Sequence, residues 1–355
     1  TNWRSLEAIH QGFGSYVGGE ANMNPVLLSI VVPVYNIHDE LNELGNELTA
    51  FLLNHNDLDV FLIDDGSTDG SGDLADKFAS ESDKIQVIHQ ANSGLSAARN
   101  IGMMKSSGEY VWFLDGDDLF NPITLEKALS NLKLETADIF WYSHQTFRNS
   151  EALKNGMQSS TSPALILDQT EVSGVDMLRY LGNSQVESYA WSYIARTSLY
   201  KDNAITFPVS RSYEDIATTY KLFFLAHKIK IHNESLVYYR QRGGSIVTRV
   251  GFNNIEDVLV VNKELKVVLD GDKLISIKNL LLFKNTKLAK EFLLFNKANL
   301  RKENPKRFIR LTKEIRRELS EIDSTKFSFN NKAKLLLTKF SAFFVVKKMI
   351  RTILQ

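Results

Sequence analysis

The sequence predicts an α/β fold, a mostly parallel, Rossmann-like sheet flanked by helices, followed by an α-helical C-terminal region. Three observations carry this. From residue 27 onward, short runs of β-branched and aromatic residues alternate with helix-length segments, the pattern of βαβ units. The runs are apolar throughout, as in strands covered on both faces. Beyond about residue 254 strand formers no longer cluster and long helical segments take over. The 355 residues, 43% hydrophobic and 24% charged, suffice for one large or two ordinary domains and exclude a disordered polymer.

Strands are expected at 27–33 (LLSIVVP), 60–64 (VFLID), 85–89 (IQVIH), 110–115 (YVWFLD) and 138–143 (DIFWYS). Helices are expected at 39–53, 72–80, 95–105 and 122–132, the last with Asn121 as N-cap and Pro122 at the first helical position. The polar, Ser-rich stretch 148–163 reads as an exposed loop. Helices follow at 172–181 and 215–227, then two short strands around a turn within 228–239. Four long helices are expected at 258–269, 274–298, 305–319 and 332–354. The chain thus divides into an N-terminal extension (1–25), a catalytic domain (26–250) and a helical region (251–355). The extension begins without Met and carries four glycines between Gly12 and Gly19, and reads as a trimmed or tagged end that stands apart from the fold.

With 42 basic and 42 acidic side chains the formal charge is zero, so bulk attraction to nucleic acid is not the driving force. Residues 301–355 nevertheless hold 15 Lys/Arg against 5 Asp/Glu, a basic end on an acidic body. The absence of Cys excludes disulfides, Cys-ligated metal and thiol nucleophiles, and is compatible with a reducing compartment. With no secretory signal pattern and no run of about 18 apolar residues, a cytoplasmic protein is expected. After Asp323 there are seven Lys/Arg and no acid, interleaved with Leu335, Leu336, Leu337, Phe340, Phe343 and Ile350. Such a helix suits peripheral contact with an anionic membrane on the inner face of the plasma membrane, or packing on the catalytic domain or on a second copy of the chain.

Four polar clusters lie where strands end, and ligands collect at the carboxyl ends of strands in open α/β sheets. Pro33-Val34-Tyr35-Asn36 offers a Tyr that can lie against a heterocyclic base, or that merely caps the strand. Asp64-Asp65-Gly66-Ser67 places a carboxylate on a rigid strand end, able to accept from a uracil imide or a ribose hydroxyl. The overlapping calcium-loop and dinucleotide patterns starting at Asp65 and Gly70 fit poorly. The stretch from Asn92 through Gly94 to Arg99 passes into a helix start with free N–H groups, and Arg99 can reach a phosphate or bridge to the acids. Asp115-Gly116-Asp117-Asp118 puts three carboxylates within four residues, a way of holding Mg2+ or Mn2+ together with substrate phosphates. Glu214-Asp215 opens a helix as N-cap acids or as a general base. Arg240 and Arg242 precede Gly243 and Gly244, either a clamp for a diphosphate or an ordinary cationic loop.

VVPVYN, IDDGSTDGS, NSGLSAARNIG, GEYVWFLDGDD and YED, in this order, resemble the inverting glycosyltransferases of family 2 over about residues 26–245. The resemblance implies a GT-A fold and a metal-dependent hexosyltransferase that moves sugar from a UDP-sugar donor to a hydroxyl of a glycan or lipid-linked acceptor in bacterial cell-surface or capsule polysaccharide synthesis. The competing class is a non-catalytic sugar-nucleotide-binding or scaffold module on the same fold. By position, the resemblance implies nucleobase contacts from Pro33 and Tyr35 and uracil binding by Asp65, supported by Asp64. It implies donor contacts from Asn92, Gly94 and Gly116, a pocket braced by Arg99, Asp115 near the ribose, and Asp117 on the Mn2+ or Mg2+ ion. Asp215 is implied as base, with Glu214 positioning the acceptor and Trp191 on the acceptor side or in the core. Many relatives carry a His where this chain has Arg240 and Arg242, so metal binding is expected to rest on Asp117 and the diphosphate.

Overall fold

The computed structural model describes residues 25–148, 169–241 and 250–339. The N-terminal extension up to residue 24, nearly all of the loop expected at 148–163, Arg242 and the chain beyond 339 lie outside the described residues.

Nine strands form one sheet in the order β3-β2-β1-β4-β8-β6-β9-β5, with β7 (Glu171–Val172) paired to β9. Its first half is parallel: β1 (Leu28–Val34), β2 (Leu58–Asp64), β3 (Ile85–His89) and β4 (Tyr110–Phe113). Every residue of β1, β2 and β4 is buried, as in central parallel strands covered on both faces. The edge strand β3 exposes Gln86 and His89 and buries Ile85 alone, as a strand with one neighbour does. The second half is mixed. β8 (Tyr193–Arg196) runs antiparallel between β4 and β6 (Ile139–Phe147), and β9 (Ile229–Arg240) runs parallel to β6 and antiparallel to β5 (Leu119–Phe120).

The expected pair of short strands at 228–239 is therefore a single strand. Tyr142 pairs with His232 and Ser143 with Ser235, so Asn233 and Glu234 bulge outward and are exposed. Their polarity imitates a turn in the sequence, but a bulge meets the same need without reversing the chain. β6 likewise runs to Phe147, beyond the expected end at 143.

Helices α1 (His38–Leu52), α2 (Ser71–Glu81) and α4 (Pro122–Leu134) cover one face of the sheet, burying rows such as Leu41, Leu44, Leu48 and Leu52. That spacing is one side of a 3.6-residue period. Asn121 accepts from the N–H groups of Ile123 and Thr124 and so caps α4 as its sequence suggests. The other face is covered by α3 (Leu95–Lys105), α5 (Gly174–Gly182), α6 (Thr197–Lys201) and α7 (Glu214–Leu225). The apolar cluster on that face extends without interruption into α8 (Phe252–Val268), α9 (Ile275–Phe295), α10 (Lys297–Glu303) and α11 (Pro305–Glu321). The last described helix, α12 (Phe329–Lys339), joins it through Leu335.

Candidate active site

The carboxyl ends of β1, β2 and β4 lie side by side, Val34 opposite Asp64 and Val31 opposite Phe113, so the polar turns that follow them meet in one crevice. Tyr35 leaves β1 with about half of its surface exposed (48%), whereas Pro33 is buried inside the strand. Asn36 adopts a left-handed backbone (φ 51°), and its side-chain oxygen accepts from the Thr68 N–H at 2.8 Å. Its own N–H donates to Ser67 Oγ at 3.1 Å, which ties the β1 turn to the β2 turn. Asp69 is consumed locally, by the His38 N–H and by the backbone and hydroxyl of Ser71.

Asp64 and Asp65 share a strand end but face different partners. Asp64 accepts from the Ser67 N–H and from His89 Nδ1, both at 2.9 Å. Burial works to raise its pKa, yet these donors hold it below the usual carboxylate value. Asp65 is buried (3%). It accepts from Gln90 Nε2 (2.5 Å) and the Ser93 N–H (2.7 Å) through one oxygen, and from the Gly94 N–H (2.8 Å) through the other. A carboxylate has about four acceptor positions, so one is left over. Asp65 thus pins the loop carrying Asn92 and Gly94 to the strand end and sets the start of α3, where Gly94 takes φ 88°.

That helix start delivers Arg99. Its guanidinium is buried (2%), donates to Asp115 at 2.5 Å and to Glu214 at 2.6 Å, and lies over the Phe207 ring at 5.4 Å. Asn100 makes two reciprocal 2.8 Å bonds with the Phe207 backbone and so fixes that ring. Of the two options open for Arg99 in the sequence, the structure shows the bridge to the acids.

The 115–118 turn lies close against β1: a Cβ on Gly116 would come within 2.5 Å of Ile37 Cδ1 and 2.6 Å of the Pro33 carbonyl. Asp115 and Asp117 are partly exposed and Asp118 is buried. Arg240 straps this turn from the end of β9. Its backbone N–H donates to Asp118 Oδ1 (2.8 Å), its Nε to the Asp117 carbonyl (2.7 Å) and its terminal nitrogen to Glu43 (2.7 Å), with the plane over Phe147. Arg240, one of the two arginines of the expected diphosphate clamp, is therefore engaged as a brace of the acidic turn, and Arg242 lies outside the described residues. The second oxygen of Asp118 is buried without a partner, and burial, then the charges of Asp117 and Asp115, drive that carboxyl well above its usual pKa.

Among the described residues no three His, Asp or Glu converge on a common point for a metal. Mg2+ and Mn2+ commonly take only one or two protein carboxylates beside substrate phosphates. The partly exposed Asp117 fits that sparing ligand set.

Glu214 and Asp215 open α7 behind Tyr213, which caps it in a left-handed conformation (φ 59°). Glu214 is held by Arg99, whereas Asp215 has no cation of its own: it accepts from the Ile216 N–H at 2.7 Å and weakly from Ser188 Oγ at 3.4 Å. Burial, and after it the Glu214 charge, push the Asp215 carboxyl up to about 7. Trp191 is buried (3%) and stacks on Tyr189 rather than facing solvent. The contacts join Asp65, through the Gly94 helix start, to Arg99, and Arg99 to both Asp115 and Glu214. Asp65, Asp115 and Glu214 are thereby tied into one network, and Asp117 and Asp215 follow two of its acids in the chain. Sequence reasoning missed Gln90, Glu43, Phe147 and Ser188. Gln90, next to the Asn92 loop, was the only one with a local signal.

The family model described as Glycosyl transferase family 2 matches residues 29–207. The glycosyltransferase GlyG of Streptococcus pneumoniae is 29% identical over 62% of this chain and 73% of its own length. EpsJ of Bacillus subtilis, named as an uncharacterized glycosyltransferase, is 28% identical over 62% of each. The poly(ribitol-phosphate) beta-N-acetylglucosaminyltransferase TarS of Staphylococcus aureus is 27% identical over 59% of this chain, which spans 35% of that relative. The crystal structure of TarS 1-349 superposes with a TM-score of 0.67 at 20% identity, covering 92% of both chains, and is also known with UDP-GlcNAc and with UDP. The sheet with flanking helices and the helical C-terminal region are thus shared with a solved GT-A glycosyltransferase structure.

Proposed function

The chain belongs to glycosyl transferase family 2, and on that premise we propose an inverting enzyme that moves a sugar from a UDP-sugar to a hydroxyl of a glycan or lipid-linked oligosaccharide in bacterial cell-surface polysaccharide synthesis. One observation supports the reading: Arg99 bonds Asp115 and Glu214 at once, which joins the acidic turn to the helix start that carries the candidate base Asp215. The UDP-GlcNAc and UDP complexes of TarS support a uridine donor.

In this mechanism the exposed Tyr35 ring stacks on the nucleobase and the remaining acceptor position of Asp65 takes its imide N–H. Asp115, fixed by Arg99, faces the ribose, and Asp117 holds the divalent ion, Mn2+ or Mg2+. When bound, that ion neutralises charge developing on the departing diphosphate. The two acids of α7 separate by partner. Glu214 is neutralised by Arg99 and positions the acceptor, while Asp215 keeps a free lone pair and a raised proton affinity, as a general base working near neutrality requires. It takes the acceptor hydroxyl proton as that oxygen attacks the anomeric carbon opposite the leaving group, inverting the configuration.

The location we propose is cytoplasmic, peripheral to the membrane. No helix among the described residues is long and apolar enough to cross a bilayer. The reading is supported by α12, where Phe329, Leu336 and Leu337 stand exposed near exposed Lys326, Lys332 and Lys339. UDP release from a panel of UDP-sugars, with and without Mn2+, tests the activity. Turnover by wild type and loss of turnover with retained UDP binding in Asp215→Asn are expected, and near-normal turnover of that variant refutes the assignment of the base.

A further inference from the structure

Between the acidic turn and the base lies a strip of aromatic rings that the transfer chemistry above does not use. Tyr189 follows Ser188, whose hydroxyl reaches Asp215 at 3.4 Å. Tyr239 precedes Arg240, which binds the Asp118 carboxylate and the Asp117 carbonyl. The two tyrosines therefore meet between the base and the acidic turn, and Trp191 packs against both. Its buried ring stacks on Tyr189 at 4.7 Å and 17° and lies tilted against Tyr239 at 5.5 Å and 36°. His144 supports Trp191 edge-on at 4.8 Å. Tyr189 and Tyr239 are each partly exposed, with ring centres 6.1 Å apart, and neither hydroxyl takes part in a hydrogen bond among the described residues.

Stacked rings, two of them partly exposed, match one ligand chemistry well. The carbon-bound hydrogens on the face of a pyranose are slightly positive and suit the negative face of an aromatic ring, while the sugar hydroxyls reach the rim. An acyclic alditol phosphate has no such face and calls for a cation. The guanidinium groups at the two ends of the strip, Arg99 and Arg240, are held by Asp115 and Glu214 and by Glu43. We propose that Tyr189 and Tyr239, backed by Trp191, form the floor of the acceptor subsite and select an uncharged pyranoside over an alditol phosphate. This rests on the transferase reading above.

The test is acceptor-dependent UDP release with neutral alkyl pyranosides and with ribitol 5-phosphate as probes, on wild type and on Tyr189→Phe, Tyr189→Leu, Tyr239→Phe and Tyr239→Leu. Pyranosides should serve and ribitol 5-phosphate should not. The Leu variants, which remove the ring, should raise the ratio of acceptor KM to donor KM about threefold to tenfold over the Phe variants, the range expected for one lost ring contact. The Phe variants keep the packing, so a Leu variant that fails to fold leaves the comparison of Phe variants with wild type on the two acceptor classes. Equal KM ratios in Leu and Phe variants, or a higher kcat/KM for ribitol 5-phosphate than for every pyranoside, overturn the inference alone. No UDP release from any donor overturns the transferase reading and this inference together.

Discussion

Asp215→Asn should make the protein more stable at the pH where it makes it inactive. In the folded chain the Asp215 carboxyl is pushed from 3.8 up to about 7, by burial first and by Glu214 second. Ionisation thus opposes folding, and the sign follows from linkage. The protonated form's contribution is fully present below the unfolded value, near 3.8, and is lost as pH rises toward 7. Three pK units at 1.36 kcal/mol each set a ceiling of about 4 kcal/mol. The side chain keeps some solvent contact, so roughly 1–3 kcal/mol is the working figure. An Asn carries no such penalty. Urea unfolding of both proteins at pH 5 and pH 8 should show the variant gaining relative to wild type at the higher pH, and kcat/KM of wild type should rise through about pH 7 on its acid limb. A stability difference that does not change with pH, or an acid limb near 4, would refute the claim that Asp215 is the poised base.

Arg99→Ala strands Asp115 and Glu214 without their shared cation and should destabilise the fold by about 3–5 kcal/mol in thermal or urea unfolding. In Arg99→Lys, which cannot span both acids with a planar fork, the acid limb of kcat/KM should move to higher pH, because Arg99 lowers the Asp215 pKa. Asp117→Ala should abolish the Mn2+-dependent part of UDP binding in calorimetry while leaving the melting temperature within a few degrees, since the side chain is partly exposed. Charge reversal at Lys332 and Lys339 should reduce co-sedimentation with anionic liposomes, at about 1 kcal/mol per reversed group; unchanged binding, or none in wild type, refutes the membrane reading.

Much of this architecture was legible because its determinants are local. β1, β2 and β4 are mostly apolar and buried at every position, and Asn121-Pro122 announces a helix start that geometry confirms. The acidic turns were legible for the same reason, each following its strand directly. What stayed hidden depends on contacts between distant residues. Glu43 looks like any solvated helix acid until Arg240, nearly two hundred residues on, closes on it. Asn233-Glu234 looks like a turn because a bulge and a turn demand the same polar residues, and only the pairing of Tyr142 with His232 and Ser143 with Ser235 separates them. Arg99 offered two destinations, and the choice was made by the arrival of Glu214, 115 residues later.

The uninterrupted apolar layer shared by the sheet and the C-terminal helices has a practical meaning for anyone wishing to trim this enzyme. Leu178, Leu181 and Ala217 belong to the same cluster as Leu265, Leu281 and Ile315, and Lys284 of α9 reaches Val186 and Glu187, immediately before the serine that touches the base. A chain cut near residue 250 would leave a wide greasy scar on the layer behind the helix that carries Asp215. The helical half therefore serves as a wall for the apolar layer behind the start of α7, and any shortened version would need a replacement for that wall before its chemistry could be compared with the parent.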